Sequence, residues 1–247
     1  MARELVTQRA TSRFAGETEL VFRHALVRDA AYSMLTDDDR ALAHRLAGEW
    51  LEARGERDAA VLAEHFDRGG EPGRAVGFYA RAAAQALEGN DLSRVLALAE
   101  RGVALGAAGT SLGELQRLRA EAFRWRGRVP ESEACAREAT ALLEPGTASW
   151  HAAVGELGTA AGSLAHADVL LAARDDLLAR GRPTEPEFAI ALARLVMQLY
   201  ALGRRELADE TLARLDAIDG ASFGPIARAR IEQGRALRMG RDRPEPD

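Results

Sequence analysis

The sequence predicts an all-α protein: a right-handed helical solenoid of antiparallel helix pairs, with one short β-hairpin at its N-terminus. Three observations carry that expectation. The apolar residues are mostly Ala and Leu, with few aromatic and few β-branched residues, and Ala and Leu are among the strongest helix formers. From about residue 24 onward, apolar positions recur at helical spacing and are cut only by Gly, Pro and short polar turns. Finally, individual helices are apolar on two sides, whereas a free-standing amphipathic helix needs one stripe.

In chain order, the stretch before residue 24 comes first and differs from the rest. "TSRFAGETELVFRH" places an apolar and aromatic run on each side of "AGETE", which predicts a hairpin. Helices are then expected over 24–35, 38–54, 57–68, 72–88, 91–105, 111–126, 130–143, 147–163, 165–180, 185–202, 204–218 and 222–239. Several boundaries carry explicit signals. Gly69 and Gly70 break one helix, and Pro72 then stands near the first turn of the next, where a missing N–H costs little. "LLEPGTAS" and "ARGRPTEPE" act in the same way further along.

Composition narrows the function. A net charge of −5 over 247 residues does not attract phosphate backbones, so no nucleic-acid partner is expected. The arginines of "RARIEQGRALRMGRDR" alternate with apolar residues and read as a solvated helix face. All 33 basic residues are Arg and Asn90 is the one Asn, the codon bias of a GC-rich, bacterial genome. Cys135, the single cysteine, excludes an internal disulfide framework, and it reads as a half-buried helix residue. No apolar run approaches the roughly 18 residues a membrane span needs, and "MARELVTQRATSR" has no signal-peptide core. A soluble, cytoplasmic protein without a membrane partner is expected.

Catalytic and metal chemistry are not predicted either. The histidines His24, His44, His65, His151 and His166 make no H-x-x-x-H or H-x-x-E-H pair, so no metal site follows from their spacing. Asp37–Asp39 and Asp175–Asp176 read as helix-start and solvent-face residues. There is no G-x-x-x-x-G-K-[ST] loop and no H-R-D or D-F-G phrase. The glycines of "GELGTAAG" fit close helix packing. No cofactor is expected.

Self-similarity is the stronger signal. Around Gly127, small residues and an aromatic stand at Ala120, Phe123, Ser132, Ala136 and Ala139. The same offsets give Ala63, Phe66, Ala75, Tyr79 and Ala82 around Gly70, and Val196, Leu199, Ala208, Leu212 and Leu215 around Gly203. Around Gly162 they give a poorer set, Gly155, Gly158, Ala167, Leu171 and Arg174. Near Gly89 and Asn90 a one-residue slip is needed to reach Ala83, Val95 and Gly102. Counted from Gly89, these glycines are 38, 35 and 41 apart, the length of a helix–turn–helix unit. The 111–126 helix shows both apolar sides: Leu115, Leu118, Ala122 and Trp125 on one, Ala120 and Phe123 on the other. This pattern resembles the tetratricopeptide repeat over roughly residues 57–240. In that register the inner helices place Glu114, Arg117, Glu121, Arg124 and Trp125 on the groove side, continued by Glu156, Met197 and Tyr200. A groove of this kind receives a peptide or a partner protein.

The segment "FRHALVRDAAY", Phe22 to Tyr32, followed by Arg40 and His44, resembles the end of the winged-helix part of STAND-class signalling ATPases. The similar proteins are bacterial regulators that join a Ser/Thr kinase or cyclase, an ATPase module and tetratricopeptide repeats. The resemblance implies that residues 1–36 are a truncated winged-helix remnant, 37–240 the repeat domain and 241–247 a disordered tail. It further implies that His24 senses the phosphates of a bound nucleotide where an ATPase domain is present. Read alone, His24 is a capping or half-buried structural residue. Two main readings stay open, a non-catalytic interaction module at the sensor or scaffold end of a STAND-type signal-transduction protein, or the regulatory part of a Ser/Thr kinase or ATPase whose catalytic domains lie upstream; a weaker third is a transcription regulator with a DNA-binding domain beyond Asp247. In the second, the partner is the protein's own ATPase or kinase domain. "MARELVTQRATS" reads as the middle of a helix-to-strand connection, so Met1 is not expected to be a natural start.

Overall fold

The structure, a computed structural model, describes residues 5–218 and 223–239. The chain divides into two compact units, residues 1–79 and 80–247. The expected tail at 241–247 lies outside the described residues.

The first unit opens with a hairpin. Strand β1 (Val6–Gln8) pairs antiparallel with β2 (Leu20–Phe22), Val6 opposite Phe22 and Gln8 opposite Leu20. The second strand falls where the sequence put it, but the first does not use the "TSRF" run. Phe14 instead turns its ring edge-on to Trp50, with centroids 5.0 Å apart. That contact covers apolar surface, which a two-stranded ribbon without a core behind it cannot do. Helices α1 (Ala25–Ser33), α2 (Asp37–Ala53) and α3 (Ala59–Arg68) follow, and α4 (Pro72–Glu88) begins in this unit.

Polar caps set the starts of these helices. Thr36 accepts a hydrogen bond from the Asp39 N–H at 3.1 Å, and three aspartates occupy the first turn of α2, at the positive end of its dipole. Asp58 caps α3, accepting from Ala60 N–H at 2.9 Å. The core of this unit is small: Leu62, Ala63, Phe66, Ala75, Val76 and Phe78 are buried, with Phe66 stacked on Phe78 at 5.3 Å. Gly48 lets α2 approach α3, since a methyl there would come within 3.0 Å of the Phe66 ring.

The second unit contains the rest of α4, then α5 (Leu92–Ala104), α6 (Gly109–Trp125), α7 (Val129–Leu142), α8 (Ala148–Ser163), α9 (Ala167–Arg180), α10 (Pro186–Ala201), α11 (Arg205–Asp216) and α12 (Pro225–Met239). Its packing alternates. Helix α6 packs on α7 and α8, α8 on α9 and α10, and α10 on α11 and α12. Thus α6, α8, α10 and α12 touch one another in succession as one layer, and α7, α9 and α11 are each their pair partners. That is a solenoid of antiparallel helix pairs, with one continuous core from Ala83 to Ile231.

The repeat is more regular than the glycines suggested. The residues in left-handed conformation between paired helices are Asn90, Gly127, Ala165 and Gly203, with φ of 57°, 72°, 58° and 70°. They stand 37, 38 and 38 residues apart. Each is followed by an N–H that donates 2.9 Å back to the carbonyl five residues earlier: Asp91 to Ala86, Arg128 to Phe123, His166 to Ala161 and Arg204 to Leu199. This is the helix-ending motif that satisfies orphan carbonyls through one left-handed residue. Counting offsets from Ala165 in place of Gly162 gives Gly158, Ala161, Leu170, Arg174 and Leu177, all buried. From Asn90 they give Ala83, Ala86, Val95, Ala99 and Gly102, again all buried. The poor match at Gly162 was therefore an error of anchor, because an alanine occupies the turn.

Gly162, Gly155 and Gly158 instead hold α8 against α10. A Cβ on Gly162 would lie 2.6 Å from the Gln198 Cβ, and one on Gly155 3.3 Å from Ala191. A second correction concerns Trp125. Leu115, Leu118, Ala120, Ala122 and Phe123 are core, but Trp125 is 56% exposed at the end of its helix and belongs to no apolar stripe.

Candidate interaction face

The predicted groove residues all fall on the layer formed by α6, α8 and α10, and Glu156 organises its centre. This carboxylate sits on α8, 2% exposed. Arg124 on α6 donates from Nε to its Oε2 at 2.5 Å, and Arg194 on α10 donates to its Oε1 at 2.5 Å. One buried acid therefore ties three successive helices together. Burial pushes its carboxyl pKa up, but the Arg194 and Arg124 guanidiniums outweigh that and hold it below the ordinary carboxylate range. Glu156 does not itself face a partner; it presents two guanidiniums that remain about one-fifth exposed.

Around this centre, Glu121 lies 3.8 Å from Arg124, and Arg117 donates to Glu114 at 3.1 Å one turn earlier on α6. The Arg124 guanidinium also stacks 4.4 Å over the exposed Trp125 ring. On α10, Met197 and Tyr200 are half-buried. The Tyr200 hydroxyl donates to Asp209 on α11, which fixes the ring at the border of the two helix layers. Acidic and basic side chains alternate along α6, so the face is polar and nearly neutral with one aromatic platform.

Sequence reading missed Arg194. Arg194 and Gln198 interrupt an otherwise apolar run from Ala189 to Leu199, and that interruption was the available signal.

His24 stands apart in the first unit. It is the extended N-cap of α1, exposed, and its side chain makes no capping hydrogen bond. The neighbouring motif residues Arg28, Asp29 and Tyr32 instead line a cleft of about 660 Å³ with His44, Glu64, His65 and Arg68. There the Tyr32 hydroxyl meets His44 Nε2 at 2.9 Å, and His44 Nδ1 meets His65 Nδ1 at 3.2 Å. Burial holds both imidazoles below the ordinary histidine pKa; the neighbouring His65 adds to the effect on His44. These residues come from three helices, so their spacing in the chain gave no warning.

Cys135 is buried on α7, and burial raises its thiol pKa, which disfavours the thiolate. Asp175 and Asp176 pair with Arg174 and Arg180, as solvent-face residues do. Among the described residues no three His, Cys, Asp or Glu side chains are placed to hold a metal ion together. No helix among them is long and apolar enough to cross a membrane.

No family model matches the chain, and no curated protein matches it by sequence. Solved structures do resemble it. YrrB, described as a TPR protein with an unusual peptide-binding site, superposes with a TM-score of 0.53 at 15% identity, over 83% of this chain and 97% of its own. A Podosopora anserina structure, described as kinesin light chain nearly identical TPR-like repeats, gives 0.46 at 16% identity, over 75% and 98%. The likeness to YrrB is one of fold, and the fold of this chain is a tetratricopeptide-like solenoid of helix pairs.

Proposed function

We propose that the chain is a non-catalytic, cytoplasmic protein-interaction module, and that the face of α6, α8 and α10 receives an extended peptide or a partner's surface segment. The observation that carries this reading is the buried Glu156 holding Arg124 and Arg194 in fixed positions beside the exposed Trp125. Fixed guanidiniums and a rigid aromatic ring lose little entropy when a ligand docks, and Trp and Arg dominate binding energy at interfaces. The peptide-binding site in the description of YrrB supports the same use of the fold. The test is selection from a displayed peptide library, followed by mapping on the labelled protein. Selected peptides are expected to shift resonances of α6, α8 and α10, and Trp125→Ala is expected to weaken them tenfold or more. Peptides that map elsewhere, or ignore the substitution, would defeat the reading.

The parent context proposed is a bacterial STAND-type signal-transduction protein, with this chain as its sensor or scaffold end. The "FRHALVRDAAY" segment supports it, and so do the exposed apolar side chains Leu20 and Phe22 on the hairpin, Leu26 on α1 and Met34 at its C-cap. The same observation favours the second reading, in which the chain regulates a Ser/Thr kinase or ATPase module of its own protein. Joining such a module to the chain and substituting Leu26→Asp separates the two. Altered ATPase or kinase output indicates a regulatory contact, and unchanged output leaves a scaffold.

A further inference from the structure

We propose that His44 and His65 form a two-histidine chelate for a divalent transition cation of the kind that prefers imidazole, such as zinc, nickel or copper. The first observation is geometric. The two Nδ1 atoms are 3.2 Å apart and the ring centres 5.1 Å apart. A head-on N–H···N hydrogen bond of that length would put the ring centres about 5.5 Å apart. Two imidazoles aimed at one tetrahedral zinc, with Zn–N of about 2.0–2.1 Å, have nitrogens about 3.3 Å and ring centres about 5.2 Å apart. The observed separations lie closer to the second geometry than to the first.

The second observation is protonation. Metal ligation needs neutral imidazole, and in a contact between two neutral rings one Nδ1 donates and the other accepts. No proton need leave on binding. The ring that carries Nδ1–H in the free protein moves that hydrogen to Nε2, which frees both Nδ1 lone pairs. For His44 this makes Nε2 a donor to the Tyr32 oxygen at 2.9 Å, the outer partner that fixes a metal-bound histidine.

The third is space and charge. The cleft of about 660 Å³ leaves room for waters to complete the coordination. Asp29 and Glu64 on its walls are paired with Arg28 and Arg68, which offsets much of the guanidinium charge around the cleft. Imidazole nitrogens with water favour zinc, nickel or copper over magnesium or calcium, which demand oxygen. With two protein ligands the site is a modest, exchangeable one.

Calorimetric titration of the chain with zinc chloride tests this, with magnesium chloride as control. One saturable zinc equivalent is expected, with no heat from magnesium. His44→Gln and His65→Gln should each weaken binding at least tenfold, and Tyr32→Phe several-fold, while His166→Gln leaves it unchanged. Circular dichroism of each variant excludes unfolding as the cause, and Tyr32→Phe keeps both ligands should a histidine variant fail to fold. Absence of saturable zinc binding, or binding that persists in both histidine variants, overturns the proposal.

Discussion

Ala165 is the residue whose replacement tests the repeat geometry most directly. It turns α8 into α9 at φ of 58°, where the equivalent turns use Asn90, Gly127 and Gly203. The left-handed conformation costs an L-residue about 1–2 kcal/mol, which glycine avoids. Against this, glycine loses more backbone entropy on folding, worth about 0.5–1 kcal/mol. The Ala165 side chain is exposed, so removing its methyl empties no cavity. Ala165→Gly should therefore stabilise the second unit by about 0.5–1 kcal/mol. In a unit of this size that raises Tm by about 1–4 °C. The mirror substitution, Gly127→Ala at φ of 72°, should lower Tm by a similar amount. Thermal unfolding followed by far-ultraviolet circular dichroism reads both. A fall in Tm for Ala165→Gly, or no change for Gly127→Ala, would refute the claim that these residues are chosen by backbone conformation.

Other outcomes follow from packing and charge. Gly162→Ala should destabilise by about 1–3 kcal/mol in urea denaturation, because its methyl meets the Cβ of Gln198 and the helices must separate. Gly155→Ala, with 3.3 Å of room, should be nearly neutral, since helix propensity offsets the tightness. Glu156→Gln should cost about 2–3 kcal/mol, less than the usual toll for breaking a buried ion pair because both guanidiniums reach solvent. The folded pKa of Glu156 is lowered, so its contribution should be present above the ordinary glutamate value and lost as pH falls through the folded one. His151 is buried and held neutral by desolvation, so stability should fall as the solution is acidified below the free-histidine value of 6.5, and His151→Gln should flatten that slope. Calorimetry with ADP and magnesium should give no binding heat for the chain or for His24→Ala, since the nucleotide role assigned to His24 requires an ATPase domain.

Helix content, helix order and most helix ends were legible in the sequence because they are local properties. Periodicity, Asp37–Asp39 and Pro72 act within one turn of where they stand. The five-position pattern around Gly127 and Gly203 was legible for the same reason, as each offset lies within one helix pair. The first hairpin strand was misplaced because Phe14 answers to Trp50, 36 residues away. Ala165 was hidden because a left-handed alanine is a backbone state, not a residue type. Candidate groove residues could be proposed one helix at a time, but Glu156 proved to be buried beneath Arg124 and Arg194, 32 and 38 residues distant in the chain. His44 and His65 meet only because α2 packs on α3. The sequence by itself determined which segments coil and which face of each is apolar. Tertiary structure alone decided which charges and imidazoles meet, because the register between helices is set by side chains interlocking across the whole layer.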